Sequence, residues 1–108
     1  MISILLPIFN NEKTIKVVLN SIISGISKHD EIIIIDDCST DNSYSIIKLF
    51  CKKYKSLNII ILKNKVQMGI AYSLNKAIKK SSKKYIARID GDDINFKNRF
   101  IFQLRILK

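Results

Sequence analysis

Cysteine is scarce in this sequence, and the two residues present, Cys38 and Cys51, stand thirteen apart with no CxxC pair and no histidine ligand close by. A disulfide scaffold, a zinc site and a redox pair are therefore not expected, and two reduced thiols are. The lone histidine, His29, lies beside Asp30 and Glu31 in a connection and is assigned no chemistry. Proline occurs once and glycine three times, without linkers, repeats or low-complexity tracts to mark a domain boundary. Long apolar runs are missing too: Ile32 to Ile35 is far short of the roughly 20 residues that cross a bilayer. No basic region or small-residue cleavage site follows Met1, so the expected location is cytoplasmic. Acids are few, nine against nineteen bases for a formal charge of +10, and sixteen of the bases are lysine. That balance favours diffuse attraction to anions over bidentate reading of nucleobases.

What remains is a chain of 108 residues, 47% hydrophobic and 26% charged, the size of one globular domain. Four short runs rich in β-branched residues, Ile2 to Phe9, Glu31 to Asp36, Leu57 to Lys63 and Lys84 to Ile89, read as strands. Each is nearly continuously apolar, as parallel strands covered on both faces are. Helical stripes lie between them: Ile15, Val18, Leu19, Ile22 and Ile26; Ile46, Ile47, Phe50 and Tyr54; Ile70, Leu74, Ala77 and Ile78. Phe100, Leu104 and Leu107 predict a fourth helix running to the last residue. Alternating strands and helices call for right-handed crossovers and an open α/β sheet with helices on both faces, in one domain over residues 1–108. Lysine pairs at 52–53, 79–80 and 83–84 fall near helix ends, where they complement the helix dipole.

Six of the nine acids sit in two clusters just past predicted strands: Asp36, Asp37 and Asp41, then Asp90, Asp92 and Asp93. Open α/β sheets bind ligands at the carboxyl ends of their strands, near the point where strand order reverses. A sheet order of 3-2-1-4 would bring Pro7 to Asn10, Asp36 to Ser39 and Asp90 to Asp93 into one cleft. Two carboxylates ~4 Å apart at an effective dielectric of ~20 repel by ~4 kcal/mol, so the second cluster needs an offset. A proton, Arg88 or a hard divalent cation would each provide one, and oxygen ligands alone favour Mg²⁺ or Mn²⁺, whose remaining positions substrate phosphates commonly fill. A turn formed by Asp90-Gly91 and a helix cap account for one of these acids. Asx turns and a cap likewise account for Ser39 and Asp41, whereas Asp37 has no evident local role. Gly69 and Asn75 read equally as a turn glycine and a helix-surface amide.

Taken together, Leu6-Pro7-Ile8-Phe9-Asn10-Asn11-Glu12, Ile33 to Asp41, Gly69 with Leu74-Asn75-Lys76-Ala77, and Tyr85 to Asp93 resemble the family 2 glycosyltransferases, and Arg99, Phe100 and Gln103 extend the match. The resemblance implies a GT-A type, Rossmann-like domain of an inverting transferase that takes a nucleotide-sugar donor, commonly a UDP-sugar. It implies that Pro7, Ile8, Phe9 and Asn10 wrap the nucleoside with Phe9 beside the base, and that Asp37 accepts a hydrogen bond from the base. It places the D-x-D motif on Asp90 and Asp92, with Asp90 near the ribose or metal and Asp92 on a Mn²⁺ or Mg²⁺ ion bridging the diphosphate. Phe9 stands where the family often has tyrosine, Gln67 where it has asparagine, and Lys97 where proline is common. The family's catalytic domain is about twice as long, so its acceptor-binding half and general base are expected beyond Lys108.

The expected function is glycosyl transfer to a glycan or lipid-linked acceptor in polysaccharide or glycoconjugate biosynthesis. The lysine excess also suits peripheral contact with an anionic membrane face. The alternative is a receiver-like, Mg²⁺-dependent phosphoacceptor domain built on Asp36-Asp37. A nucleic-acid module is not expected, since no motif or aromatic-rich basic strand accompanies the charge.

Overall fold

In the computed structural model, which describes residues 1–91 and 104–106, eight elements follow one another. They are β1 (Ile2–Ile8), α1 (Ile15–Gly25), β2 (Glu31–Asp36), α2 (Ser43–Lys53), β3 (Ile59–Lys63), α3 (Ile70–Lys80), β4 (Tyr85–Arg88) and β5 (Leu104–Ile106). They form a single sheet in the order β3-β2-β1-β4-β5. The first four strands are parallel, with Leu5 opposite Ile33 and Arg88, and Ile33 opposite Ile60. The order 3-2-1-4 considered for a shared cleft is found among the parallel strands, with β5 added beyond β4, and the α/β class is as expected.

Alternation along β1 and β2 explains the continuous apolar runs. Ile4, Leu6 and Ile8, with Ile32 and Ile34, face α1 and α2 and pack on Ile15, Val18, Leu19, Ile22, Ile47 and Phe50. Leu5, Ile33 and Ile35 face the other way, onto Ala77 with Leu74 and Ile78 of α3. Burying each such side chain stabilises the fold by about 1.5–3 kcal/mol. Lys52 and Lys53 end α2, and Lys79 and Lys80 end α3, the dipole-complementing positions expected of them. At the amino ends of the strands, buried Glu31 accepts from the hydroxyls of Ser3 and Ser82 and the Ser82 N–H, so its charge is compensated where it is buried.

One expectation needs correction. Leu104, placed in a fourth helix by its spacing from Phe100 and Leu107, belongs to β5, which runs antiparallel to β4 with Ala87 opposite Leu104 and Tyr85 opposite Ile106. A short apolar run carries both periods, and an unpaired β4 edge offers a row of backbone groups that a strand satisfies. Phe100, Leu107 and the rest of that predicted helix lie outside the described residues. Among the described residues no helix is long and apolar enough to cross a membrane.

Candidate functional site

The ladders of the sheet continue one step past the strands. Asp37 N–H donates to Ile8 C=O at 2.8 Å, Asn64 N–H to Asp36 C=O at 2.9 Å, and Ile89 N–H to Leu5 C=O at 3.0 Å. These bonds hold the loops after β1, β2, β3 and β4 side by side. Between them opens a cleft of about 370 Å³ whose lining includes Pro7, Ile8, Phe9, Asp37, Gly69 and Asp90. Two acid clusters 53 positions apart in the chain thus contribute to one hollow, because β1 separates β2 from β4 in the sheet.

Asp37, which had no evident local role, has one. Its Oδ1 accepts from the Asn64 amide at 2.9 Å and the Met68 N–H at 2.7 Å, and its Oδ2 from the Gly69 N–H at 2.9 Å. Burial by itself would raise its pKa, but these three donors outweigh it and hold the carboxyl below its ordinary range. The carboxylate clamps the connection between β3 and α3 against the end of β2. Gly69 has φ of +93°, a left-handed conformation natural to glycine, which turns its N–H toward the carboxylate. Asn64 is itself tied down, donating also to Ser73 Oγ and accepting from Lys76 Nζ at 3.2 Å. Asn64 and Ser73 carried no sequence signal as site residues; the carboxylate that Asn64 serves lies 27 residues away, and Ser73 acts only through Asn64.

Asn10 is placed differently from its neighbours. Its side-chain oxygen accepts from the Thr40 N–H at 2.8 Å and the Asp41 N–H at 3.3 Å, while its own N–H donates to Ser39 Oγ. Asn10 therefore braces the β1 loop on the β2 loop, and its φ of +52° is one that asparagine tolerates better than most residues. Ser39 in turn donates to the Asp36 carboxylate from both N–H and hydroxyl, three residues on, and the anticipated Asx turn is the one Asp41 makes with the Ser43 N–H. Asp41 bonds Ser43 N–H and Glu12 N–H, and Glu12 Oε1 accepts from Asn42 N–H, so the starts of α1 and α2 hold each other.

Phe9 projects at the cleft edge with 39% of its surface exposed. Its N–H donates to Asn11 Oδ1 at 2.8 Å, and the Asn11 C=O accepts from Thr14 and Ile15 at the start of α1. Against the same β1–α1 segment, the Gly91 carbonyl accepts from Thr14 Oγ1 at 2.7 Å, and a side chain at this position would lie 2.6 Å from Ile8 Cδ1 and 2.7 Å from Asn11 Oδ1. Glycine is needed for that close approach. Arg88 Nε donates to Asp90 Oδ1 at 2.9 Å, with both side chains half exposed, so Arg88 supplies part of the expected charge offset. Asp92 and Asp93 lie outside the described residues. No group of three histidine, cysteine, aspartate or glutamate side chains gathers among the described residues. The cleft offers carboxylate and amide oxygens and neither thiolate nor imidazole, a donor chemistry suited to a hard divalent cation.

The sheet order decides against the receiver-like alternative. Receiver-type doubly wound domains have strand order 2-1-3-4-5, whereas here β1 lies between β2 and β4, the Rossmann arrangement. Asp36 is fully buried and capped by Ser39, and Asp37 is engaged by the β3–α3 connection.

Comparison with known proteins agrees with the architecture. The UDP-Glc:alpha-D-GlcNAc-diphosphoundecaprenol beta-1,3-glucosyltransferase WfaP of Escherichia coli is 39% identical over 93 residues, covering 86% of this chain and 36% of that protein. S. aureus TarS in complex with UDP-GlcNAc superposes with a TM-score of 0.76 at 29% identity, over 84% of this chain and 26% of that one. The mannosyltransferase PcManGT of Pyrobaculum calidifontis, in complex with GDP-Man and Mn²⁺, shares the fold at a TM-score of 0.80 and 20% identity, over 84% of this chain and 27% of that one. The chain spans well under half the length of the curated relatives it matches, 38% and 36% in two of them. Since the pattern of glycosyl transferase family 2 matches residues 3–104, nearly every residue from the first strand to β5, the chain belongs to that family.

Proposed function

We propose that the cleft binds a nucleoside diphosphate sugar, a UDP-sugar, and that this chain is the donor-binding part of an inverting transferase acting on a glycan or lipid-linked acceptor. The observation that carries the reading is the convergence of Phe9, Asp37 and Asp90 on one cleft at the carboxyl ends of three parallel strands. The UDP-Glc in the name of WfaP and the UDP-GlcNAc bound in the TarS complex support the choice of nucleotide.

In this reading Phe9 offers an aromatic face to the base, and Pro7 and Ile8 form the floor beneath it. Asp37 accepts the base N–H: three donors occupy its carboxylate, and a carboxylate has about four acceptor positions. Asn10 contributes by holding the β1 loop in place. Asp90 and Asp92 would hold a Mn²⁺ or Mg²⁺ ion, which when bound neutralises charge on the departing nucleoside diphosphate. The acceptor hydroxyl needs a general base to take its proton. We assign that base to the part of the family's domain that follows the segment matched here.

Calorimetric titration of the chain with UDP and Mn²⁺ tests the proposal. Saturable binding that Asp92→Asn weakens at least about tenfold is expected, the loss of one charge-assisted contact. Equal binding by both proteins overturns it.

A further inference from the structure

All nine acids of the chain lie in residues 12–41 and 90–93, so the 48 residues from Asn42 to Ile89 carry twelve lysines and arginines and no carboxylate. That stretch builds α2, β3, α3 and β4, and β3 is one of the two edge strands of the sheet. The edge of the molecule formed by α2, β3 and α3 therefore carries lysines and no carboxylate of its own, Glu12 and Asp41 meeting it only at the start of α2. At its carboxyl end, residues 65–72 are exposed without interruption. Four large apolar side chains fall within this segment, Val66 at 61%, Met68 at 45%, Ile70 at 52% and Tyr72 at 46% exposure. Ile70 borders the donor cleft. The other three line a separate shallow groove of about 290 Å³ together with Lys63, Lys65 and Lys76. The acid nearest this loop, Asp37, is buried beneath it and accepts from the Met68 and Gly69 N–H groups, so it does not cancel the outward charge. Lys63 Nζ also lies 4.2 Å from the Tyr44 ring centre, which continues the basic apolar surface onto α2.

We propose that this lysine-rimmed apolar loop, with the β3 edge behind it, docks on an anionic lipid bilayer. The charge is complementary to acidic headgroups, and each lysine near such a surface contributes roughly fivefold to partitioning. The apolar side chains choose between possible anions. Phosphate polymers have no use for Val66 and Met68, whereas the boundary between headgroups and acyl chains accepts both, along with the amphipathic ring of Tyr72. A second copy of the chain would bring like charges together. Docking here would set the donor cleft, which shares the β3–α3 loop, beside the membrane. The surface is read from charge and exposure alone and stands whether or not the cleft takes a nucleotide sugar.

The test is co-sedimentation of the chain with vesicles of phosphatidylcholine alone or mixed with phosphatidylglycerol, with circular dichroism and UDP titration on every variant. Partitioning is expected only onto the anionic vesicles. Lys63→Gln with Lys65→Gln lowers it roughly fivefold per lysine. Val66→Ser with Tyr72→Ser lowers it by about tenfold through lost apolar insertion. Lys28→Gln, at the opposite end of the strands, leaves it unchanged, and UDP binding is retained throughout. Vesicle binding indifferent to Val66→Ser with Tyr72→Ser overturns the proposal. So does tight binding to a single-stranded oligonucleotide without partitioning onto vesicles. Loss of UDP binding with vesicle binding intact counts against the donor-cleft reading alone.

Discussion

Two residues at the cleft show how little latitude a single position has. A side chain on Gly91 would meet Ile8, which is buried in the core, and Asn11, whose carboxamide already holds the Phe9 N–H. Gly91→Ala should therefore cost about 1–3 kcal/mol, the usual penalty of overpacking, read as a lower urea midpoint with an unchanged slope. Asp37→Asn replaces an acceptor-only group with one that also donates, and sets an NH₂ against N–H donors from Asn64, Met68 or Gly69. The expected loss is about 1–3 kcal/mol of stability, together with UDP affinity, measured by denaturation and calorimetry on the same protein. Neither cost is visible locally in the chain. The donors to Asp37 come from 27, 31 and 32 residues away, so no local pattern in the chain identifies them.

Among elements, the β3–α3 connection depends most on a single polar network. Lys76, on α3, donates to the Asn64 side-chain Oδ1, and the Asn64 amide donates to Asp37. Asn64→Ala leaves the Met68 and Gly69 N–H groups bonded to a carboxylate that has lost its third donor. Hydrogen exchange at those two amides should accelerate about tenfold, equivalent to one lost hydrogen bond, while exchange in β1 and β2 stays slow. An equal acceleration across the sheet would show that the network stabilises the whole fold instead. Strands were the readable elements, because coverage on two faces leaves a nearly unbroken apolar run such as Ile32 to Ile35. Helices α1 to α3 were readable for a related reason, each packing a stripe on the sheet, although Ile70, assigned to the α3 stripe, is 52% exposed at the start of that helix. Leu104 was misread because the stripe drawn through Phe100 and Leu107 is equally compatible with a short edge strand, and pairing with β4 decided between them.

For the whole molecule, stability should depend on acid. Asp30, Glu31, Asp37 and Asp41 are all held below their ordinary values; burial opposes this in each case, and hydrogen bonds from Ser27 and Ile2, from Ser3 and Ser82, from Met68, Asn64 and Gly69, and from Ser43 and Glu12 prevail. A carboxylate with a depressed folded-state pKa releases its proton more readily in the folded chain. Its stabilisation is complete above the unfolded value and declines as the pH falls through the folded one. The window lies below the ordinary values of 3.8 for aspartate and 4.5 for glutamate. Urea midpoints should therefore be flat from neutral pH down to about 5 and drop steeply below about 4.

The amino-acid sequence by itself determined the class of sheet, the order of the elements as far as β4 and the grouping of acids at strand ends, since hydrophobic periodicity and turn chemistry act over a few residues. The order 3-2-1-4 entered only as the condition for a shared cleft, and it is strand pairing that establishes it. Only the tertiary structure decided what the polar side chains at the cleft are bonded to: that Asn10 braces the β2 loop, that Asp37 clamps the β3–α3 connection, and that Gly91 packs on Ile8 and Asn11. Each of those contacts joins residues far apart in the chain. Hydrogen bonding is directional and short in range, so it cannot be assigned until β1 has been set between β2 and β4.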